Sequence, residues 1–280
     1  MDKQLLKTVW LEKFQIFFLD GIDNKKFLNG ITTSNMLQVN VDPVKTCWLT
    51  PKGVLKSLIE IHYIDNQLLI LILEGNFNEI RNYFENVIFP VDKVKISTIK
   101  TTVRIQEAND IYSWRDYNPI LLNENDCDEY ILKNSLKVLN QNDLNIWKIK
   151  QAIPRKDFEI NGVNNPLELG LSDLIDFQKG CFLGQEIMAR LKNLASLKQE
   201  IRVWKSYNPI NNIYSRDEKV YLDNKKNKIV GYITSFAKIN EKEFIGLAMV
   251  KKNYFGENNN YFSYKFGFLK LNQSIGSIFL

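Results

Sequence analysis

The sequence predicts an α+β protein that ends in an antiparallel β-barrel, and three observations point there. Its 280 residues are enough for about two domains. The first half alternates apolar strand-like runs with amphipathic helical ones. After Arg202 the chain changes to short β-prone runs separated by Gly and Asn, as in a small barrel or sandwich.

The elements follow in order. Phe14–Leu19 (FQIFFL) reads as a strand closed by Asp20-Gly21. Asp23–Met36 holds a short helix that Gly30 is expected to interrupt. Thr46–Leu49, the turn TPKG and then VLKSLIEIHYI form a hairpin, because Pro51 and Gly53 suit a tight turn. Gln67–Leu73 is a strand. In NFNEIRNYFENV the spacing of Phe77, Ile80, Phe84 and Val87 predicts an amphipathic helix. Val94–Ile99 and Thr101–Glu107 are further strands. Glu129–Leu139 presents Ile131, Leu132, Leu136 and Leu139 at helical spacing, and Asp143–Ile149 opens another helix before Pro154. The barrel strands are expected at 201–204, 219–222, 229–234, 243–250, 261–268 and 277–280.

Composition narrows the function. With 45% hydrophobic and 25% charged residues, the chain is globular rather than disordered. Its net charge of +5 is a modest excess that serves solubility. No aromatic-interleaved Arg cluster or RNA-binding signature stands out, so direct nucleic-acid binding is not expected. LLILIL is too short to span a bilayer and the N-terminus lacks a signal-peptide core, which points to the cytoplasm without a membrane role. Three scattered cysteines, Cys47, Cys127 and Cys181, and the single His62 argue against a disulfide framework and against a stably bound metal.

The most distinctive stretch is Asp176–Arg190, DFQKGCFLGQEIMAR. Gly180 and Gly184 bracket Cys181 and allow close backbone approach. Ile187, Met188 and Leu191 give a helix beginning near Cys181 or Gly184 its buried side, with Gln185 and Glu186 in the first turn. A cysteine beside a helix N-terminus and Lys179 would be a reactive thiolate, while a buried cysteine would be an inert small hydrophobe. The residues alone leave both readings open. Glu186 is a candidate for proton transfer and Arg190 for an anionic group.

KGCFLGQE, continuing to Ala189-Arg190, resembles the KGCYxGQE signature of the YgfZ family, folate-binding proteins with an aminomethyltransferase-like fold. Phe182 stands where the family has Tyr. FLNGITT at 27–33 is similar to the family's FxQGQxT segment, and TPKG to its DPKG turn with Thr50 in the acidic place. PLELG at 166–170, GYITS at 231–235 and FIGLAMV at 244–250 extend the likeness over nearly the whole chain. WKIKQAIP departs from the family at Lys150 and Ala152.

The resemblance implies a three-module ring. Residues 1–20 and 101–200 would form a discontinuous folate-binding module, 21–100 an inserted module, and 201–280 the C-terminal barrel. It implies tetrahydrofolate or another reduced folate in a central cavity, with Phe14 and Trp114 as aromatic candidates for its ring. It also implies a monomer that helps assemble or repair iron–sulfur enzymes, including tRNA-modifying ones, through contacts with client enzymes or assembly factors. Two alternatives stay open: a tetrahydrofolate-dependent aminomethyltransferase, whose signature is closer to KGDFIGRE, and a non-enzymatic folate-responsive scaffold.

Overall fold

The computed structural model describes residues 7–193, 197–207, 218–222, 228–255 and 260–271. The strand expected at 277–280 lies outside them. The first half contains β1 (Lys7–Asp20), α1 (Asn24–Ile31), β2 (Val44–Leu49), β3 (Leu55–Ile64), β4 (Gln67–Glu74), α2 (Phe77–Val87), β5 (Lys95–Ile96) and β6 (Lys100–Glu107). It continues through β7 (Ile120–Leu122), α3 (Cys127–Lys133), β8 (Leu136–Val138), α4 (Gln141–Lys150) and α5 (Gln185–Asn193). The barrel strands are β9 (Gln199–Tyr207), β10 (Lys219–Leu222), β11 (Lys228–Lys238), β12 (Glu243–Lys251), β13 (Tyr261–Ser263) and β14 (Gly267–Leu271).

Eight strands form one sheet in the order β2-β3-β4-β1-β6-β7, with β5 and β8 also pairing with β1. β1 sits at its centre because its long alternating sequence buries side chains on both faces. On one face Phe17 and Leu19 join Ile59, Ile61, Leu68, Ile70 and Ile72 under Leu28 of α1 and Ile80 and Phe84 of α2. On the other, Trp10 and Ile16 join Leu58, Leu69 and Leu71 against Leu144, Trp147 and Ile149 of α4 and the barrel residues Val203, Ile245 and Leu247. A period of two thus sends alternate residues of one strand into two cores.

That second face also carries charge. Glu60, fully buried between Leu58 and His62 of the same face, accepts from Arg104 Nε at 3.0 Å and Nη2 at 2.8 Å, with His62 Nε2 at 2.9 Å. Burial alone would raise its pKa, but the Arg104 guanidinium and His62 outweigh it and hold the carboxyl near 2. Buried Lys45 lies 3.9 Å away and donates to the Arg115 and Tyr117 carbonyls.

Three expectations change. Gly30 does not interrupt α1, which runs through it to Ile31. Glu129–Leu139 is not one helix: α3 stops at Lys133, Ser135 turns with φ 51°, and Leu136–Val138 pairs in parallel with β1. Local helical spacing lost there to an available sheet edge. The strand expected at 261–268 is a hairpin, β13 and β14 joined by a turn.

β10-β11-β12-β9-β14-β13 close into a barrel filled by Trp204, Val220, Val230, Ala248, Phe266 and Leu269. Gly246, paired with Trp204, leaves room for the indole: a Cβ there would lie 2.5 Å from the ring. Glu159, fully buried, ties the preceding loop to this barrel by accepting from Arg155 N at 3.0 Å and from Thr234 Oγ1. Burial pushes its carboxyl pKa up, more than the hydrogen bonds from Thr234 and Arg155 pull it down. The folded state therefore holds this proton where the unfolded chain has released it. Its contribution is full below the unfolded value, about 4.3, and is lost as pH rises through the folded one. Glu159→Gln should flatten this limb: in urea titrations the variant gains stability over the parent as pH rises from about 4 to about 7.

Candidate functional site

The KGCF bend is built by two segments far apart in sequence. Thr33 Oγ1 donates to the Leu174 carbonyl at 2.7 Å, and Ser34 Oγ donates to it at 2.9 Å. Asp176 N donates to the Thr33 carbonyl at 2.9 Å and Leu183 N to the Gly30 carbonyl at 3.2 Å. The two stretches that carried most of the family likeness, 27–33 and 179–186, are thus hydrogen-bonded neighbours.

Lys179 fastens the bend. Its Nζ donates to the Asn29 carbonyl and, at 2.6 Å, to the Thr32 carbonyl, and lies 5.2 Å above the Phe182 ring. A cation among the last carbonyls of α1 satisfies acceptors the helix leaves open. Burial, opposed weakly by Asp176, lowers the Lys179 pKa to about 8.

Cys181 is exposed, whereas Cys47 and Cys127 are buried. Burial pushes the Cys47 thiol up to about 12, which keeps it a thiol. α5 begins at Gln185, four residues beyond Cys181, so Cys181 lies ahead of the first turn, where the helix field is concentrated. Of the two expected helix starts, the one near Gly184 holds and the one at Cys181 does not, and the Lys179 ammonium donates to the Asn29 and Thr32 carbonyls. Glu186 stands exposed in the first turn of α5 and Arg190 in its last, also exposed.

Phe182 is buried, so the missing Tyr hydroxyl leaves an apolar ring in an apolar place, and its N–H donates to Gln185 Oε1 at 3.2 Å. Gly180 and Gly184 both have positive φ, 96° and 82°. At Gly184 a Cβ would sit 2.7 Å from the Thr50 carbonyl oxygen and 3.1 Å from Gly53 Cα, so the TPKG turn packs directly on this backbone. Thr50 supplies the turn's side-chain acceptor, taking Val54 N at 3.1 Å. Gly184→Ala combines a backbone clash with left-handed strain and should cost about 2 kcal/mol or more. Gly180→Ala, with open space around it, should cost about 1 kcal/mol. Chemical denaturation of the two variants measures the difference.

The two aromatic candidates for folate differ. Phe14 is half-buried, edge-on to Trp10 at 6.4 Å, and shares the inward sheet face with Arg104, whose Nη1 has no partner among the described residues. An aromatic wall beside a buried, unsatisfied donor suits a ring with polar edges. Trp114 does not fit: it is 0% exposed in the main core, with Arg115 and Lys45 over its ring at 5.4 and 5.9 Å. The aromatic that looked like an anchor is a core residue. Three described cavities of about 310, 420 and 270 Å³ are lined by neither aromatic nor by Cys181. Ala152 holds φ 50°, a left-handed conformation that suits glycine better than alanine. Sequence reading missed Asn29, Thr32 and Glu60; a lone Glu among Leu and Ile at strand period was the signal for the last.

Among the described residues, no group of three or more His, Cys, Asp or Glu could hold a metal ion, and no helix is long and apolar enough to cross a membrane. One sheet covered by helices and joined to a closed antiparallel barrel is the aminomethyltransferase-like architecture. The chain superposes on the crystal structure of glycine cleavage system aminomethyltransferase T from Bartonella henselae with a TM-score of 0.74 and 10% identity. The match covers 98% of this chain and 89% of that one. At that identity the likeness shows the fold. No protein-family profile matches the chain. An uncharacterized protein of Haemophilus influenzae is 25% identical over 210 residues, 70% of this chain and 72% of that protein.

Proposed function

We propose that this chain is a YgfZ-type cytoplasmic accessory protein that supports assembly or repair of iron–sulfur enzymes, with Cys181 as its functional thiol. The observation that carries the reading is the contrast among the cysteines: one is exposed on a pinned bend, and two are buried. In this reading Cys181 makes a transient sulfur or iron contact with a client or assembly factor. Lys179, Gly180 and Gly184 hold its bend, Phe182 and Gln185 anchor the following turn, and Glu186 and Arg190 face the partner. A reduced folate is assigned to the sheet face at Phe14, where it would bias the arrangement of the proposed modules 1–20 with 101–200, 21–100 and 201–280. The monomeric state belongs to the same proposal.

Complementation with Cys181→Ser, reading the cluster content of a client enzyme directly, is the test. The likeness to an aminomethyltransferase favours a second reading, folate-dependent transfer. It requires product from an aminomethyl donor and tetrahydrofolate without any client protein.

A further inference from the structure

The sequence holds two Asn-Gly pairs, Asn29-Gly30 and Asn161-Gly162, and the fold treats them oppositely. Asn29-Gly30 lies inside α1, where helical backbone points the Gly30 N–H along the axis toward the preceding turn. The side chain is held as well, because Asn29 Oδ1 accepts from Met36 N at 3.0 Å. Asn161-Gly162 stands exposed in a bend that belongs to no helix or strand. Four features there favour attack by a backbone nitrogen on a side-chain amide. Gly162 has φ 83° and open space around it, so no Cβ shields its nitrogen. Among the described residues nothing accepts from the Gly162 N–H, which leaves it to solvent base. The Val163 N–H donates to Asn161 Oδ1 at 3.1 Å, polarising the amide carbon and meeting the oxygen where charge develops. Both residues line an opening of about 270 Å³ beside Lys156 and Glu79, through which water arrives.

The surroundings give such a reaction a consequence, because residues 155–165 strap the sheet to the barrel. On one side of the bend, Ile160 N donates to the Arg155 carbonyl at 3.0 Å. On the other, Asn164 is 1% exposed, and its carbonyl accepts from Leu55 N of β3 at 2.9 Å. The Asn164 side chain donates to the Glu159 carbonyl at 2.9 Å and accepts from Gln199 Nε2 of β9 at 3.4 Å. Asn161 therefore sits between two fixed points.

We propose that Asn161 is a self-modifying site, converted spontaneously to isoaspartate, and that the lengthened backbone loosens the strap between sheet and barrel. The Gly162 nitrogen, its proton lost to hydroxide, bonds to Asn161 Cγ. The Cγ–Nδ2 bond breaks and ammonia leaves with a proton from water, closing a five-membered succinimide. Water then opens the ring. Addition at the Asn161 backbone carbonyl gives isoaspartate, and addition at Cγ gives aspartate. Nothing is oxidised or reduced. Isoaspartate routes the main chain through Cγ, which inserts a methylene between anchors that fit the shorter path. It also adds one negative charge to a chain of net charge +5.

The test ages the folded full chain in warm, mildly alkaline buffer and follows it by peptide mass mapping and isoelectric focusing. The peptide holding Asn161 should gain the mass difference between an amide and an acid, while the Asn29 peptide stays unchanged. In urea both should convert, since unfolding removes the helix that protects Asn29. The aged chain should unfold at lower urea than the fresh one. Treatment with an isoaspartate carboxyl methyltransferase and S-adenosylmethionine, which returns the link to aspartate, should restore its midpoint. Fresh Asn161→Asp carries the charge without the extra methylene and should match the parent. Asn161→Gln, whose ring would be six-membered, should not age. An Asn161 peptide that stays unconverted in the folded chain while converting in urea overturns the proposal. So does conversion of Asn29 at the same rate in the folded chain, and so does an aged chain as stable as the fresh one.

Discussion

Glu60→Gln should destabilise the protein by about 3–5 kcal/mol, the range for breaking a buried ion pair by removing one partner. The carboxylate is 0% exposed and takes two hydrogen bonds from Arg104, itself fully buried, with Lys45 3.9 Å away. Removing its charge leaves two cations on one buried face. Urea titration measures the loss, and Glu60→Gln combined with Arg104→Met should recover part of it, because the second change removes one uncompensated charge. A loss under about 1 kcal/mol would place the pair among interactions as weak as surface ion pairs. The pH dependence has a definite sign. With its folded pKa held near 2, Glu60 contributes fully above the unfolded value, about 4.3. That contribution is lost as pH falls from there toward the folded value, so Glu60→Gln should remove an acid-denaturation limb.

Cys181→Ser should leave stability unchanged and reduce maturation of a cluster-dependent client to the level of cells lacking the protein. The side chain is exposed in a bend held by its neighbours, so replacing sulfur with oxygen removes no buried contact. Serine keeps the size but not the soft, ionisable sulfur that binds iron or exchanges with another sulfur. Thermal unfolding checks the first half, and client cluster content at equal protein abundance checks the second. Full cluster content in cells carrying the Cys181→Ser variant would remove the thiol from the mechanism while leaving the fold intact.

Where local pattern and tertiary demand agree, the fold was readable from residues alone. Phe77, Ile80, Phe84 and Val87 announce α2, and Asn76 caps it by accepting from Glu79 N. The TPKG hairpin was equally plain. The reading failed where a distant partner decides. Leu136 has helical spacing with Leu132, yet it joins β1 as a strand while Leu132 is exposed. Trp114, a folate candidate only through the family resemblance, is 0% exposed in the main core. At the site, the glycine-bracketed word located the bend, whereas the exposure of its sulfur is seen only in the structure. The use of Lys179 stayed hidden, because its partners are backbone carbonyls at Asn29 and Thr32 that no side-chain pattern reveals.

The bonds from Lys179 span 150 and 147 residues of sequence. A contact of that separation forms only after a long loop has closed, and loop-closure entropy makes such contacts late events in folding. The sulfur therefore takes up its presented position only once α1, the central sheet and the 174–183 stretch have met. A nascent or partly unfolded chain carries the same cysteine without its bend, so competence and completion of folding arrive together.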